Sequence, residues 1–427
     1  MNKEMQVLSG ILENAEIESV AIKQQKQRIH FEKIATHAQE TVPFYKQFHQ
    51  NLTLDSLPIL TRDEIQKAAD SFKTNKLPSQ HGNCYPLETS GSTGKPIKVL
   101  ATDFTRMFYD ALMLREHRWH QRDFSKKLLA ILWAKREFAQ APKGYSQTSW
   151  GGPINKYKKT GPSIFINIAS QTEDQIEALQ FYKPQYVNSY PSQIAALAEF
   201  CIDNRIVFPF LEEIRTTGET FTDAYKKIIY QAWPHVKITD VYSCVEVGII
   251  AQQCPERHNY HVNTENVFLE IIDDESLPCS KGKLGKILLT SLLNYATPLI
   301  RYEVGDYGAW GECDCGRTMP VIEKIHGRKR NRLVYPNGKS SFPYLGERED
   351  RVKITNAVRK FQLVQHNLYD IEYKIVISEP ISQYQEENLK KMFQKNLAYP
   401  FNILISYHDD LPVGPNGKYE EFISLVS

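Results

Sequence analysis

The sequence predicts an α/β protein with a large N-terminal domain of mixed and parallel sheets, a β-rich subdomain, and a small α+β C-terminal domain. Three observations carry this reading. First, apolar runs at Ser163 to Ile168, Tyr186 to Asn188, Glu213 to Thr216 and Val236 to Tyr242 alternate with helical stretches at Thr172 to Tyr182, Gln193 to Asp203 and Asp223 to Trp233, the rhythm of βαβ units around a parallel sheet. Second, strand-like segments follow at Phe268 to Ile272 and Gly285 to Ser291. Third, the basic run that begins at Gly327 reads as a linker, so the domains are expected at 1–327 and 328–427. A chain of 427 residues is long enough for two or more domains.

The remaining elements follow from local chemistry. Leu8, Ile11 and Leu12, then Ile29, Phe31, Ile34 and Ala35, recur at helical spacing, and Pro43 closes the second helix. Thr61 followed by Glu64 forms a capping box and predicts a helix start. Tyr85 to Glu88 and Pro96 to Leu100 read as strands, Thr102-Asp103 as the cap of a helix reaching Gln121, and Lys127 to Trp133 as a buried strand. The Gly-, Ser- and Pro-rich segment Gly144 to Pro162 reads as a loop. In the last domain a hairpin is expected at Phe361 to Gln365 and Glu372 to Ser378, then a helix at Gln383 to Leu397 with Leu389, Met392, Phe393 and Leu397 on one face, then a strand at Phe401 to Ser406.

Composition excludes several classes. With 41% hydrophobic and 24% charged residues the chain is an ordinary globular protein. Its net charge of +2, from 52 basic and 50 acidic residues, gives no field for nucleic acid. Its apolar runs are too short for membrane insertion, and Met1-Asn2-Lys3-Glu4 does not open a signal peptide. A cytoplasmic location is therefore expected. Seven cysteines, an odd number, argue for reduced thiols or a metal site over a disulfide framework.

The most informative stretch is Thr89-Ser90-Gly91-Ser92-Thr93-Gly94-Lys95-Pro96. Its glycines let backbone amides approach an anion, its hydroxyls donate to oxygens, and Lys95 adds a point charge, so it reads as a phosphate-gripping loop. A Walker loop is excluded, because only Ser92 and Thr93 separate Gly91 from Gly94-Lys95 and a strand rather than a helix follows. The ordered TSGSTG followed by Lys-Pro resembles the nucleotide-binding signature of adenylate-forming enzymes, which activate carboxylic acids as acyl-AMP.

Other motifs of that family occur in order. Thr217-Gly218-Glu219 resembles the adenine-contacting turn. Asp240-Val241-Tyr242-Ser243-Cys244-Val245-Glu246 resembles the aromatic-to-glutamate motif. The resemblance implies that Tyr242 stacks on adenine, Asp240 reaches its amino group and Glu246 holds Mg²⁺. The family's phosphate-touching threonine is replaced by Val245, with Ser243 as the nearest substitute. Pro298 to Asp306 resembles the motif whose aspartate, here Asp306, accepts hydrogen bonds from the ribose hydroxyls. Gly327-Arg328 resembles the start of the hinge motif, with Arg328 near ribose or phosphate and Arg330 at the hinge. Pro415-Asn416-Gly417-Lys418 resembles the last motif, whose lysine is catalytic.

The resemblance spans nearly the whole chain and is nearest to the short branch of phenylacetate-CoA ligase and capsule-biosynthesis proteins. It implies a mobile C-terminal cap, an N-terminal domain that binds ATP and a small carboxylic acid, and catalysis by Lys418, Glu246 and Lys95. Pocket walls are expected from 133–153, from Tyr190 to Gln193 with Tyr190 and Ser192, and from 242–249. It also implies a structural Zn²⁺ on Cys254, His261, Cys313 and Cys315. The acceptor is expected to be coenzyme A; an amine or a carrier protein is the alternative, and a non-catalytic nucleotide-binding scaffold is the alternative of another class.

Overall fold

Hydroxyl side chains set where two helices begin. Thr61 Oγ1 accepts from the Glu64 amide at 3.3 Å while the Thr61 amide donates to Glu64 at 2.7 Å, and Thr102 with Thr105 repeats the arrangement, so two of the four orphan amides at each start are satisfied. The computed structural model describes residues 3–48, 54, 57–89, 96–135, 137–152, 154–411, 413–414 and 417–426.

The chain runs α1 (Lys3–Ile17), α2 (Val20–Thr41), α3 (Arg62–Lys67), β1 (Cys84–Glu88), β2 (Lys98–Thr102), α4 (Asp103–Trp119), β3 (Leu128–Leu132), β4 (Tyr145–Gln147), β5 (Ser163–Asn167), α5 (Thr172–Tyr182) and β6 (Tyr186–Ser189). It continues through α6 (Pro191–Asn204), β7 (Glu213–Thr217), α7 (Asp223–Ala232), β8 (Lys237–Cys244), β9 (Gly248–Gln253), β10 (Tyr260–Val262), β11 (Val267–Ile272), β12 (Gly285–Ser291), β13 (Tyr302–Trp310) and β14 (Val321–Arg328). The last part holds β15 (Leu333–Val334), β16 (Ser340–Ser341), α8 (Arg348–Val352), β17 (Val358–Gln365), β18 (Asp370–Ile377), α9 (Gln383–Asn396), β19 (Asn402–Tyr407) and β20 (Phe422–Ser424).

The chain packs as two units: residues 1–190, 208–218 and 236–325, and residues 191–207, 219–235 and 326–427. In the first unit, among the described residues, one twelve-stranded sheet runs β11-β12-β13-β14-β10-β9-β8-β7-β6-β3-β5-β4. Its β5, β3, β6, β7 and β8 pair in parallel, as the alternating pattern predicts, whereas β8–β9, β9–β10, β10–β14, β11–β12 and β12–β13 pair antiparallel. The expected β-rich part is therefore a continuation of the same sheet. Phe31, Ile34, Val42, Tyr45, Ile65 and Phe72 form one apolar core with Leu299 and Tyr302. Leu60 bridges to this core through its backbone, with its amide on the Arg301 carbonyl at 3.0 Å and its carbonyl accepting from the Glu303 amide at 2.9 Å. That bridge sets the start of α3 beside β13.

The second unit has the four-stranded sheet β19-β18-β17-β20, against which Leu389, Phe393 and Leu397 pack with Leu363, Ile371 and Tyr373. It also contains α6 and α7. Arg351 pairs with Glu199 at 3.3 Å, and Lys227 pairs with Glu347 at 3.2 Å.

Three sequence expectations change. Ile11 and Ile29 are 54% and 39% exposed, because the buried face of α1 is Met5, Leu8, Leu12 and Ala15 and that of α2 runs through Phe31, Ile34, Ala35 and Ala38. The segment expected as loop from Gly144 contributes β4, which caps the sheet edge by pairing antiparallel with β5. The basic stretch after Gly327 is not irregular, since β14 runs to Arg328 and a 3₁₀ turn covers Lys329–Asn331. Among the described residues no helix is long and apolar enough to cross a membrane.

Candidate functional site

The hydroxyl loop leaves β1 and enters β2, the strand–loop–strand context expected of it, with Glu88 opposite Lys98. Thr89 closes the neck of the loop: its amide donates to the Ile97 carbonyl at 2.9 Å and its Oγ1 accepts from the Ile97 amide at 2.8 Å. Ser90, Gly91, Ser92, Thr93, Gly94 and Lys95 lie outside the described residues.

Thr89 Oγ1 has a second donor. Arg62, in the first turn of α3, gives Nη2 to Thr89 at 2.8 Å and Nη1 to Glu246 Oε1 at 3.2 Å. Tyr302 also donates its hydroxyl to Glu246 Oε1, at 3.0 Å. Glu246 is buried, and a buried carboxylate is tolerated only with paired charge and hydrogen bonds. Arg62 and Tyr302 supply both. Burial and the neighbouring Glu246 charge hold the Tyr302 phenol protonated far above its usual range, so it remains a donor. Among the described residues the buried Arg62 Nε has no hydrogen-bond partner.

Four residues before Glu246, Tyr242 donates its hydroxyl to Asp306 Oδ2 at 2.9 Å, from β8 to β13. Tyr242 is buried and Asp306 half-buried. Cys244 lies between: burial, then the Glu246 charge, pushes its thiol well above the ordinary range. Ser243 is half-buried and Val245 is 44% exposed. Gly218 follows β7 at φ 83°, a left-handed conformation suited to glycine. Asp240 has a different setting. Its Oδ1 accepts from Thr216 at 2.6 Å and its Oδ2 from Tyr260 at 2.8 Å, and burial pushes its carboxyl up to about 6. Tyr190 is buried.

In the second unit Glu219 accepts from the Ser192 amide through Oε2 at 3.1 Å and from the Tyr419 amide through Oε1 at 2.7 Å. Burial raises the Glu219 carboxyl, opposed by these bonds and by the Lys418 charge. Lys418 is half-buried and follows Gly417, which has φ 75°. The Arg328 amide donates to Asn331 at 2.8 Å, and Arg330 pairs with Glu420 at 2.6 Å.

The structure thus joins Thr89 to Glu246 and Tyr242 to Asp306, and holds Asp240 against Thr216 and Tyr260. Arg62 and Tyr302 were not legible as site residues. The capping box placed Arg62 in a helix start, but nothing local connects it to a carboxylate 184 positions away.

A separate cluster gathers in the first unit. One donor atom each from Cys254, His261, Cys313 and Cys315 lie within 4.8 Å of one another. Cys254 and Cys313 sulfurs are 3.7 Å apart, and Cys315 Sγ is 3.3 Å from His261 Nε2. Disulfide sulfurs stand about 2.05 Å apart, whereas two thiolates on a tetrahedral zinc at about 2.3 Å stand about 3.8 Å apart. The donor set and spacing therefore fit Zn²⁺.

Comparison with known proteins finds relatives along most of the chain. Residues 348–424 match the CapK C-terminal domain family. Phenylacetate-coenzyme A ligase of Thermus thermophilus is 25% identical over 372 residues, covering 82% of this chain and 80% of that protein. Protein CapK of Staphylococcus aureus is 23% identical over 407 residues, covering 86% of this chain and 79% of its own length. Among solved structures, 2-hydroxyisobutyryl-CoA ligase in the postadenylation state with 2-HIB-AMP superposes with a TM-score of 0.71 at 16% identity, covering 96% of this chain and 91% of that one.

Proposed function

Because this chain belongs to the adenylate-forming branch of phenylacetate-coenzyme A ligases and CapK, we propose that it joins ATP to a small carboxylic acid as acyl-AMP, releases pyrophosphate, and passes the acyl group to a thiol, most simply coenzyme A. The observation that supports this reading is the run of hydrogen bonds from Thr89 through Arg62 to Glu246, beside the Tyr242–Asp306 pair. It ties the neck of the phosphate-gripping loop to the carboxylate assigned to the metal.

Each residue then has a physical task. The loop from Thr89 to Gly94 and Lys95 hold the leaving phosphates, while Tyr242 and Gly218 flank the base. Asp306, an acceptor with two oxygens, takes the ribose hydroxyls and is oriented by Tyr242. Asp240 shapes the base pocket through Thr216 and Tyr260. Glu246 offers Mg²⁺ a hard oxygen ligand, and that ion would supply charge neutralisation on the transferred phosphate. Lys418 stabilises negative charge as the carboxylate attacks the α-phosphorus. Arg328 lies toward ribose or phosphate, and Tyr190 and Ser192 border the acid. The zinc cluster is structural, since four protein ligands leave no open position. The reaction is assigned to the cytoplasm.

Acid-dependent exchange of labelled pyrophosphate into ATP, run across an acid library, tests the first step. Offering coenzyme A, amines and a carrier protein to the best acid then identifies the acceptor. Failure of every acid to support exchange, with ATP still bound, would leave a non-catalytic nucleotide-binding protein.

A further inference from the structure

We propose that Glu219 is a positioning residue for Lys418, fixing the peptide unit that follows the lysine, an inference resting on the reading that Lys418 serves adenylation. The Lys418 carbonyl accepts from the Gly414 amide at 2.8 Å, and the Gly417 amide donates back to the Gly414 carbonyl at 2.9 Å, a tight turn. The other end of the same peptide unit, the Tyr419 N–H, donates to Glu219 Oε1 at 2.7 Å. The plane after Lys418 is therefore held at its oxygen and at its nitrogen. Tyr419 adds a further tie, donating its hydroxyl to the Phe361 carbonyl.

Glu219 can perform this task because its own position is fixed. Its second oxygen, Oε2, accepts from the Ser192 amide at 3.1 Å in the first turn of α6, where the exposed amides and the helix dipole favour a negative charge. Hydrogen bonds from amides to an ionised carboxylate are stronger than neutral ones. A glutamate whose two oxygens are engaged by main-chain amides orients protein rather than adenine, which gives the glutamate of Thr217-Gly218-Glu219 a role different from the one its motif implies. The lysine side chain is flexible beyond its Cα. Fixing its backbone narrows the volume its ammonium samples, and misplacement of a catalytic group is costly in rate.

The test compares Glu219→Ala and Glu219→Gln with wild type in two measurements. In pyrophosphate exchange, Glu219→Ala is expected to lower kcat by about 10- to 100-fold with the ATP KM changed by less than about 2-fold. Glu219→Gln, which keeps one acceptor oxygen, should recover part of that loss. Adding Glu219→Ala to Lys418→Ala should cost nothing more, since both act through one group. In hydrogen–deuterium exchange, the Tyr419 amide should exchange about 10-fold faster or more in Glu219→Ala. A large rise in ATP KM at unchanged kcat, or multiplicative losses in the double variant, would overturn the proposal in favour of nucleotide binding. Unchanged protection of the Tyr419 amide would overturn it on structural grounds alone. Absence of exchange activity in wild type strikes at the adenylation reading instead, so the two failures are distinguishable.

Discussion

A single guanidinium decides how the buried carboxylate of Glu246 is tolerated. Arg62 reaches it with one arm and Thr89 with the other, a two-pronged grip that an ammonium cannot reproduce. Arg62→Ala should therefore destabilise the protein by about 3 kcal/mol, because it strands a buried charge, and should lower pyrophosphate exchange at least 10-fold. Arg62→Lys should retain most of the stability and less of the activity. Denaturant unfolding and exchange kinetics on both variants check this, and equal losses in the two would show that the charge at position 62 is not what holds Glu246. Asp240 makes a separate prediction. Its carboxyl is pushed up to about 6 by burial, whereas an unfolded aspartate titrates near 3.9. Between these values the native state holds a proton that the unfolded state has released. The Asp240 contribution to stability is thus fully present below about pH 4 and is lost as pH rises through about 6, amounting to about 3 kcal/mol. Asp240→Asn cannot ionise, so the mutant-minus-wild-type difference in unfolding free energy should shift in the mutant's favour across that window. A difference independent of pH would show that Asp240 titrates normally.

At the scale of elements, a metal held by the cysteine cluster would staple the antiparallel half of the large sheet. Cys254 follows β9, His261 lies in β10, and Cys313 and Cys315 lie between β13 and β14. With four ligands from three places, metal binding there would contribute to folding. Chelator-washed protein should retain close to one zinc per chain, and Cys313→Ser should lose the metal and unfold several degrees lower. Metal-free wild type of unchanged stability would remove zinc from the account. Elements differed in how far they could be read. α5 was read with both of its ends because apolar periodicity and flanking polar residues agree there. β9 and β13 escaped. The buried Gln252 and Gln253 break the apolar run of β9, and β13 carries Glu303, Gly305, Asp306 and Gly308 where a plain strand would alternate. In both strands polar residues or glycines interrupt the apolar pattern. The motif residues were legible because each occupies a short ordered run, whereas Arg62 and Tyr302 act through partners distant in sequence.

At the scale of the molecule, the proposed reaction has two steps and the motif residues are divided between two units. Thr89, Tyr242, Glu246 and Asp306 belong to the first unit; Ser192, Glu219, Arg328 and Lys418 belong to the second. A reaction that uses its lysine only while pyrophosphate leaves should be separable by mutation into a sensitive and an insensitive half. Negative charge on the attacking carboxylate and α-phosphate develops during adenylation, where one preorganised cation is worth about 10²- to 10³-fold. Thioester formation starts from an acyl-AMP whose pyrophosphate has already gone. Lys418→Ala should therefore lower acid-dependent pyrophosphate exchange by about two orders of magnitude. Thioester formation from supplied acyl-AMP should fall by less than about 3-fold. Little should change in the fold, since Lys418 is half-buried and follows the turn at Gly417. Equal losses in both steps would mean that Lys418 supports the site as a whole, and near wild-type exchange would move the adenylation charge to Lys95 or Arg62.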